Sequence, residues 1–212
     1  MRKFYLASTM SIVAAALVAL PAMADEQSFD LDGFTSVDSS AGVSVDITVG
    51  SGYSIRAEGS EKALDRLRIE VKGDTLYVGR KRKVNWGKTG SVDVTVTMPA
   101  LESLDSSSGS SIDASGVEAS DFSADASSGS RISVSGSCTD LNADVFSGAR
   151  IDAKDLECKK VIADGSSGGS ISASADTRLI ADASSGASIR VYGSPTDVDI
   201  DKSSGGSVKI KN

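Results

Sequence analysis

The chain has 212 residues, a formal net charge of −7, no histidine and only 5 % aromatic residues. Its acidity argues against nucleic acid and anionic membrane as partners, because phosphate contacts need clustered Lys and Arg. The missing His removes the commonest general base and transition-metal ligand, and the scarcity of aromatics leaves a thin, regular structure with small interior residues as the way to fold.

Residues 1–24 read as a signal peptide. Arg2 and Lys3 precede an apolar run from Met10 to Leu20, then Pro21 and the small-x-small tripeptide Ala22-Met23-Ala24. Cleavage is expected after Ala24, leaving Asp25 as the first mature residue and a net charge of −9 once Arg2 and Lys3 are gone. The apolar run is shorter than the roughly 20 residues of a spanning helix. The product is therefore expected outside the cytoplasm, periplasmic or extracellular, without membrane insertion.

Residues 25–100 form an N-terminal β section with one short helix. Within Val37–Ile47, Asp38, Gly42, Val45 and Ile47 sit at the offsets of a repeat met again downstream. A strand over residues 54–57 leads to a helix that starts at Ser60 as N-cap. A hairpin follows, with residues 68–72 and 75–78 joined by Gly73-Asp74. Arg80-Lys81-Arg82-Lys83 reads as a solvated tip, Trp86 follows it, and an alternating strand over 92–98 is stopped by Pro99. This section is expected to continue or cap what comes next.

Residues 101–212 hold six copies of a Ser-Ser-Gly repeat. Gly109, Gly129, Gly148, Gly168, Gly186 and Gly205 recur 18 to 20 residues apart. Four positions before each glycine stands Asp105, Asp125, Asp144, Asp164, Asp182 or Asp201. Three positions after it stands Ile112, Ile132, Ile151, Ile171, Ile189 or Val208. Residues alternate in and out with period two, and each copy is too short for a helix plus two strands. Each copy is thus expected to be two short strands with one corner at Ser-Ser-Gly and another near Gly116, Gly136 and Gly193. Stacked about 4.8 Å apart, such coils make an all-β, right-handed parallel β-solenoid. Cys138 and Cys158 fall in one column of adjacent coils, at a distance a disulfide accepts, and an exported protein is expected to pair them.

The opening turn, the strand-helix-hairpin segment, and Val92–Leu104 (VDVTVTMPALESL) running straight into Ser/Gly repeats resemble the head GIN domain of putative auto-transporter adhesins. The resemblance covers about residues 28–212. It implies a β-solenoid-like fold and an envelope or surface setting, and little chemistry.

The residues themselves favour a non-enzyme. Serine recurs in every coil, and neither a nucleophile elbow nor a phosphate loop is present. The Asp column is the candidate binding feature. Its carboxylates either accept N–H bonds from the Ser-Ser-Gly corners, relieved in charge by Arg131 and Arg150, or form a ladder for Ca²⁺. The expected function is an adhesion or scaffold module that binds glycan or protein through a repetitive polar face, with no cofactor beyond that possible Ca²⁺. The alternative is a glycan-active lyase or hydrolase on a β-helix. Oligomeric state is open.

Overall fold

The computed structural model describes residues 25–81 and 90–211. The leader with its cleavage point, and Arg82, Lys83 and Trp86 of the basic segment, lie outside the described residues. The protein is a parallel β-solenoid: the fifteen strands of the described residues join in one continuous sheet.

The repeats show why. Strands β9 (Ser111–Ala126), β10 (Arg131–Val145), β11 (Arg150–Gly165) and β12 (Ser170–Ala183) follow one another in chain order, and each pairs in parallel with the next. Alternate residues turn inward, so Ile112, Ile132, Ile151 and Ile171 stack in register and are fully buried. Other interior columns are narrower, for example Ala124, Ala143, Ala163 and Ala181. Large and small columns side by side fill a thin interior with few aromatic side chains, of which Phe122 heads the column of Leu141, Val161 and Leu179.

The expectation of two short strands per coil needs correcting. The chain bends at Gly136 inside one unbroken strand, where the register shifts between Val134 and Gly136. Gly136 has φ +138°, and a Cβ there would overlap the Val117 carbonyl of the coil beneath. A glycine lets the two backbones approach, so the ladder continues round the bend. Among the repeats the last turn is split at this bend, into β13 (Ser188–Tyr192) and β14 (Asp197–Lys202), followed past the corner by β15 (Ser207–Lys211).

The Ser-Ser-Gly corner is a tight turn. Ser110 N–H donates to Ser107 O (3.2 Å), and Ser130 N–H to Ser127 O (3.1 Å). The two central residues both have positive φ, +54° at Ser128 and +72° at Gly129, the mark of a type I′ turn. Successive corners are also tied together, since Gly109 N–H donates to Ser128 O (3.2 Å) and Gly129 N–H to Ser147 O (3.1 Å). The serine column from Ser108 to Ser204 therefore sits wholly in the left-handed region, at a cost of about 1 kcal/mol per residue.

The N-terminal section does not simply precede the solenoid. Strands β2 (Ser36–Ser39) and β3 (Ser44–Val49) make one coil around the corner Ala41-Gly42. On one side this coil pairs with β8 (Ser103–Ser106) and β9; on the other it pairs with β6 (Thr75–Arg80) and β7 (Val92–Met98), all in parallel. The first coil in the chain is thus the second layer in space. Beyond it, β5 (Leu67–Lys72) lies antiparallel to β6, β4 (Ser54–Gly59) antiparallel to β7, and β1 (Asp25–Phe29) antiparallel to β4. The short helix α1 (Glu61–Leu64) joins β4 to β5 and buries Ala63 and Leu64; Ser60 occupies its N-cap position without a side-chain capping bond. Arg80 is not a solvated tip. Its guanidinium donates to Ala41 O (3.0 Å) and Gly90 O (3.2 Å), clasping the first corner.

Cys138 and Cys158 form the expected disulfide between adjacent coils, with Cα atoms 4.6 Å apart and a sequence separation of 20. Closing a loop of that length is worth about 3 kcal/mol in the chain-entropy account. Replacing both cysteines by Ser should therefore lower the unfolding free energy by about that amount in urea titration, with the fold retained by far-ultraviolet circular dichroism. At the strained corner, Ser128→Asn should raise stability by about 0.5–1 kcal/mol, because Asn-Gly is the preferred pair for a type I′ turn. A melting temperature unchanged or lowered would contradict that account of the corner.

Candidate functional site

The solenoid turns the Asp of each copy into a ladder. Asp105, Asp125, Asp144, Asp164, Asp182 and Asp201 lie side by side in one lateral column, and Asp38 of the first coil joins it next to Asp105. Their neighbours in sequence point inward, so all seven carboxylates share the outer face. Burial pushes the carboxyls of Asp38, Asp105, Asp125 and Asp144 above the usual range. For the last three, the adjacent aspartates push further in the same direction. Ser123 Oγ donates to Asp125 Oδ2 (3.3 Å) and Asn142 Nδ2 to Asp144 Oδ2 (3.1 Å), which offsets part of the effect.

Among the described residues the recorded corner hydrogen bonds do not go to the carboxylates: Ser107 N–H donates to Ser39 O (2.9 Å), Ser127 N–H to Ser106 O (2.9 Å), and the N–H groups of the turn glycine and of the residue after it are taken as described above. Buried serines reinforce the corners: Ser110 Oγ accepts from Ser107 N–H (3.2 Å) and donates to Ser39 O (2.7 Å), and Ser130 Oγ accepts from Ser127 N–H (3.1 Å) and donates to Ser106 O (2.6 Å). Arg131 and Arg150 are neighbours of each other on the strand beyond the corner, and the shifts of the ladder have no arginine among their causes. Among the described residues no group of three or more acidic or Cys side chains is placed to hold a metal ion, so a calcium reading rests on neighbouring carboxylate pairs.

Two features escaped the sequence reading. Phe146 takes the place that Ser127 and Ser166 hold in the adjoining coils, two residues past Asp144, and is 46 % exposed. It puts a bare ring beside the carboxylate ladder and the hydroxyl row. The sequence signal was a lone aromatic interrupting a serine column. On the other sheet face Asp46 pairs in register with Asp113, and its carboxyl is pushed up by burial, then by Asp113 and Asp93. A shallow groove of about 700 Å³ also runs along the bend opposite the Ser-Ser-Gly corner, where Glu118, Asp121 and Asp140 meet Lys160. Lys160 lies 3.6 Å from Asp140.

A family model described as putative auto-transporter adhesin, head GIN domain, matches residues 33–195. The chain belongs to this family. No curated protein matches its sequence. Among solved structures, a putative adhesin from Bacteroides fragilis is similar at 18 % identity, covering 90 % of this chain and 98 % of that one with a TM-score of 0.70. A putative adhesin from Parabacteroides merdae (15 %, 91 % and 98 %, TM-score 0.52) and a putative lipid binding protein from Parabacteroides distasonis (16 %, 91 % and 98 %, TM-score 0.51) are similar over the same span. At these identities the likeness shows the shared fold alone. Among the described residues of this GIN-domain protein, no helix is long and apolar enough to cross a membrane.

The ladder gives the GIN domain an inverted acid response. A carboxyl whose folded pKa lies above its unfolded value contributes stability that is complete below the unfolded pKa and is lost as pH rises through the folded one. The melting temperature should therefore rise as pH falls from neutral towards about 4. Asp125→Asn should raise stability at pH 7, flatten this dependence, and give no gain near pH 3.5, as followed by thermal melts across pH. An Asp125→Asn chain less stable than the parent at pH 7 would show that the carboxylate is compensated after all.

Proposed function

We propose that this protein is an exported, non-catalytic adhesion module that binds glycan through the face carrying the Asp ladder. The observation that carries the reading is the juxtaposition of Phe146 with that ladder and with the serine row. An exposed ring can stack on the apolar face of a sugar, and the carboxylates and hydroxyls on either side can bond its hydroxyl groups. Repetition at the coil spacing suits a repeating polymer, because each weak contact is multiplied along the chain. Membership of an adhesin family supports this setting, and calcium bridging adjacent carboxylates is an additional arm of the same proposal.

The catalytic alternative retains one observation in its favour, the acids Glu118, Asp121 and Asp140 in one groove. Against it, Asp140 is paired with Lys160 and the groove is shallow. Glycan-array binding and pull-down with the exported protein, with and without Ca²⁺, decide between the readings. Binding is expected to weaken about five- to tenfold in Phe146→Ala, with no shortening of the bound glycan. Absence of glycan binding in both calcium conditions would sink the proposal, and cleavage of a bound glycan would move the function to the groove.

A further inference from the structure

The two ends of the solenoid are both unfinished. At one end, among the described residues, β14 pairs only with β12, and β15 only with β13. The terminal turn leaves its inward residues partly uncovered, with Val198 42 % and Ile210 38 % exposed. At the other end, among the described residues, β1 pairs only with β4, and β5 only with β6. An edge strand with free N–H and C=O groups is a template for another strand.

The edges also match in direction and charge. Two antiparallel steps, β1 to β4 and β4 to β7, leave β1 running the same way as β7, β3 and the repeat strands down to β15. Tracing the register strand by strand, Lys209 ends the lateral column that begins at Ser28. With period-two alternation, Glu26 and Asp30 then flank Lys209 and Lys211 if β1 of a second copy continues the sheet beyond β15. On the opposite face β5 stands level with β4, one layer nearer the body of its own copy than β1, so the same continuation leaves a strand-wide gap between β5 and β14. Glu26 already has Arg56 at 2.9 Å, so the unpaired negative charge of the β1 edge comes chiefly from Asp30. Lys202 turns inward in the terminal turn, where the coils beneath hold Ala183 and Gly165, and an inward charge discourages indiscriminate pairing along β14. The specific edge is therefore β15.

We infer that this protein associates head to tail, with β15 of one copy pairing in parallel with β1 of the next and Lys209 and Lys211 meeting Glu26 and Asp30. Such a contact uses two different surfaces and does not close on itself, so it builds open chains of copies rather than a fixed dimer. The inference is independent of what the Asp face binds, although it would lengthen that face with each added copy.

Sedimentation velocity on the exported protein tests it. The mean mass should rise with concentration through a series of species and fall when salt is added, because the contact is led by exposed charges. The pair Lys209→Glu and Lys211→Glu, and separately the pair Glu26→Lys and Asp30→Lys, should each weaken self-association by about tenfold or more. A mixture of these two variant chains should form complexes again, since the acidic β15 edge of one then meets the basic β1 edge of the other. Circular dichroism of each variant confirms that it is folded before mixing. A monomer at every concentration at low salt, a closed dimer, loss of association in only one of the two charge sets, or no recovery on mixing would each overturn the inference.

Discussion

Parallel pairing of each coil with the next is the constraint on which everything else in this structure rests. Once a strand pairs in register with its successor, each residue type is placed directly over the same position one coil away. A sequence that repeats its residues then becomes a set of columns, and every column is either favourable or unfavourable along its whole length. Isoleucine above isoleucine makes a dry interior from modest side chains. Cysteine above cysteine makes the bridge at a Cα separation set by strand spacing rather than by a specially shaped loop. Aspartate above aspartate makes a row of like charges that the fold itself creates and only partly relieves through Ser123 and Asn142.

The corners carry a second consequence of the same rule. In-register strands need identical turns, so a turn strained in one coil is strained in each. Serine occupies a positive-φ position six times over, from Ser108 to Ser204, with Ala41 in the corresponding place of the first coil. Tolerance of that strain follows from the ties between corners, where each glycine N–H reaches the serine carbonyl of the next turn. Interior shape is set in the same way. In the six repeats the position after the turn glycine is small, held by Ser110, Ser130, Ala149, Gly169, Ala187 and Gly206, while the first coil accommodates Val43 there. At Gly169 even a methyl group would press on the Val145 side chain.

These column rules explain what could be read without a structure. The solenoid, the coil register, the hairpin of β5 and β6 and the Cys138–Cys158 pairing follow from local periodicity and from spacing, both of which survive in one dimension. What could not be read was order in space. Nothing in the spacing of Asp38 and Gly42 tells that β2 and β3 are held between β6–β7 and β8–β9, because parallel pairing is permitted on either side of a coil. The role of the Asp ladder was misjudged for a different reason. Asp side chains often cap turns, but here the N–H groups of Ser107 and Ser127 already reach the hydroxyls of Ser110 and Ser130 and carbonyls of neighbouring coils. Arg80 was misplaced because a run of basic residues looks solvated until the carbonyl groups it clasps come from a turn nearly forty positions away.

A fold built from identical layers has no internal reason to stop. Each layer satisfies the one before it and presents the same unsatisfied edge to whatever follows, so specificity has to be written at the ends. At the N-terminal end the chain reverses twice, through β4 and β5, and adds a helix, so the interior is closed by Leu64 and Leu67 instead of by another coil. At the other end the inward column that runs through Ala183, Gly165 and Val145 terminates in Lys202, while Val208 and Ile210 continue the apolar pattern of the opposite strand to its edge. One face of the terminal turn thus blocks continuation and the other permits it. That asymmetry makes the end of the solenoid selective: a strand can extend the β15 side only if its charges suit Lys209 and Lys211, and the same backbone groups that hold the coils together then hold the next partner.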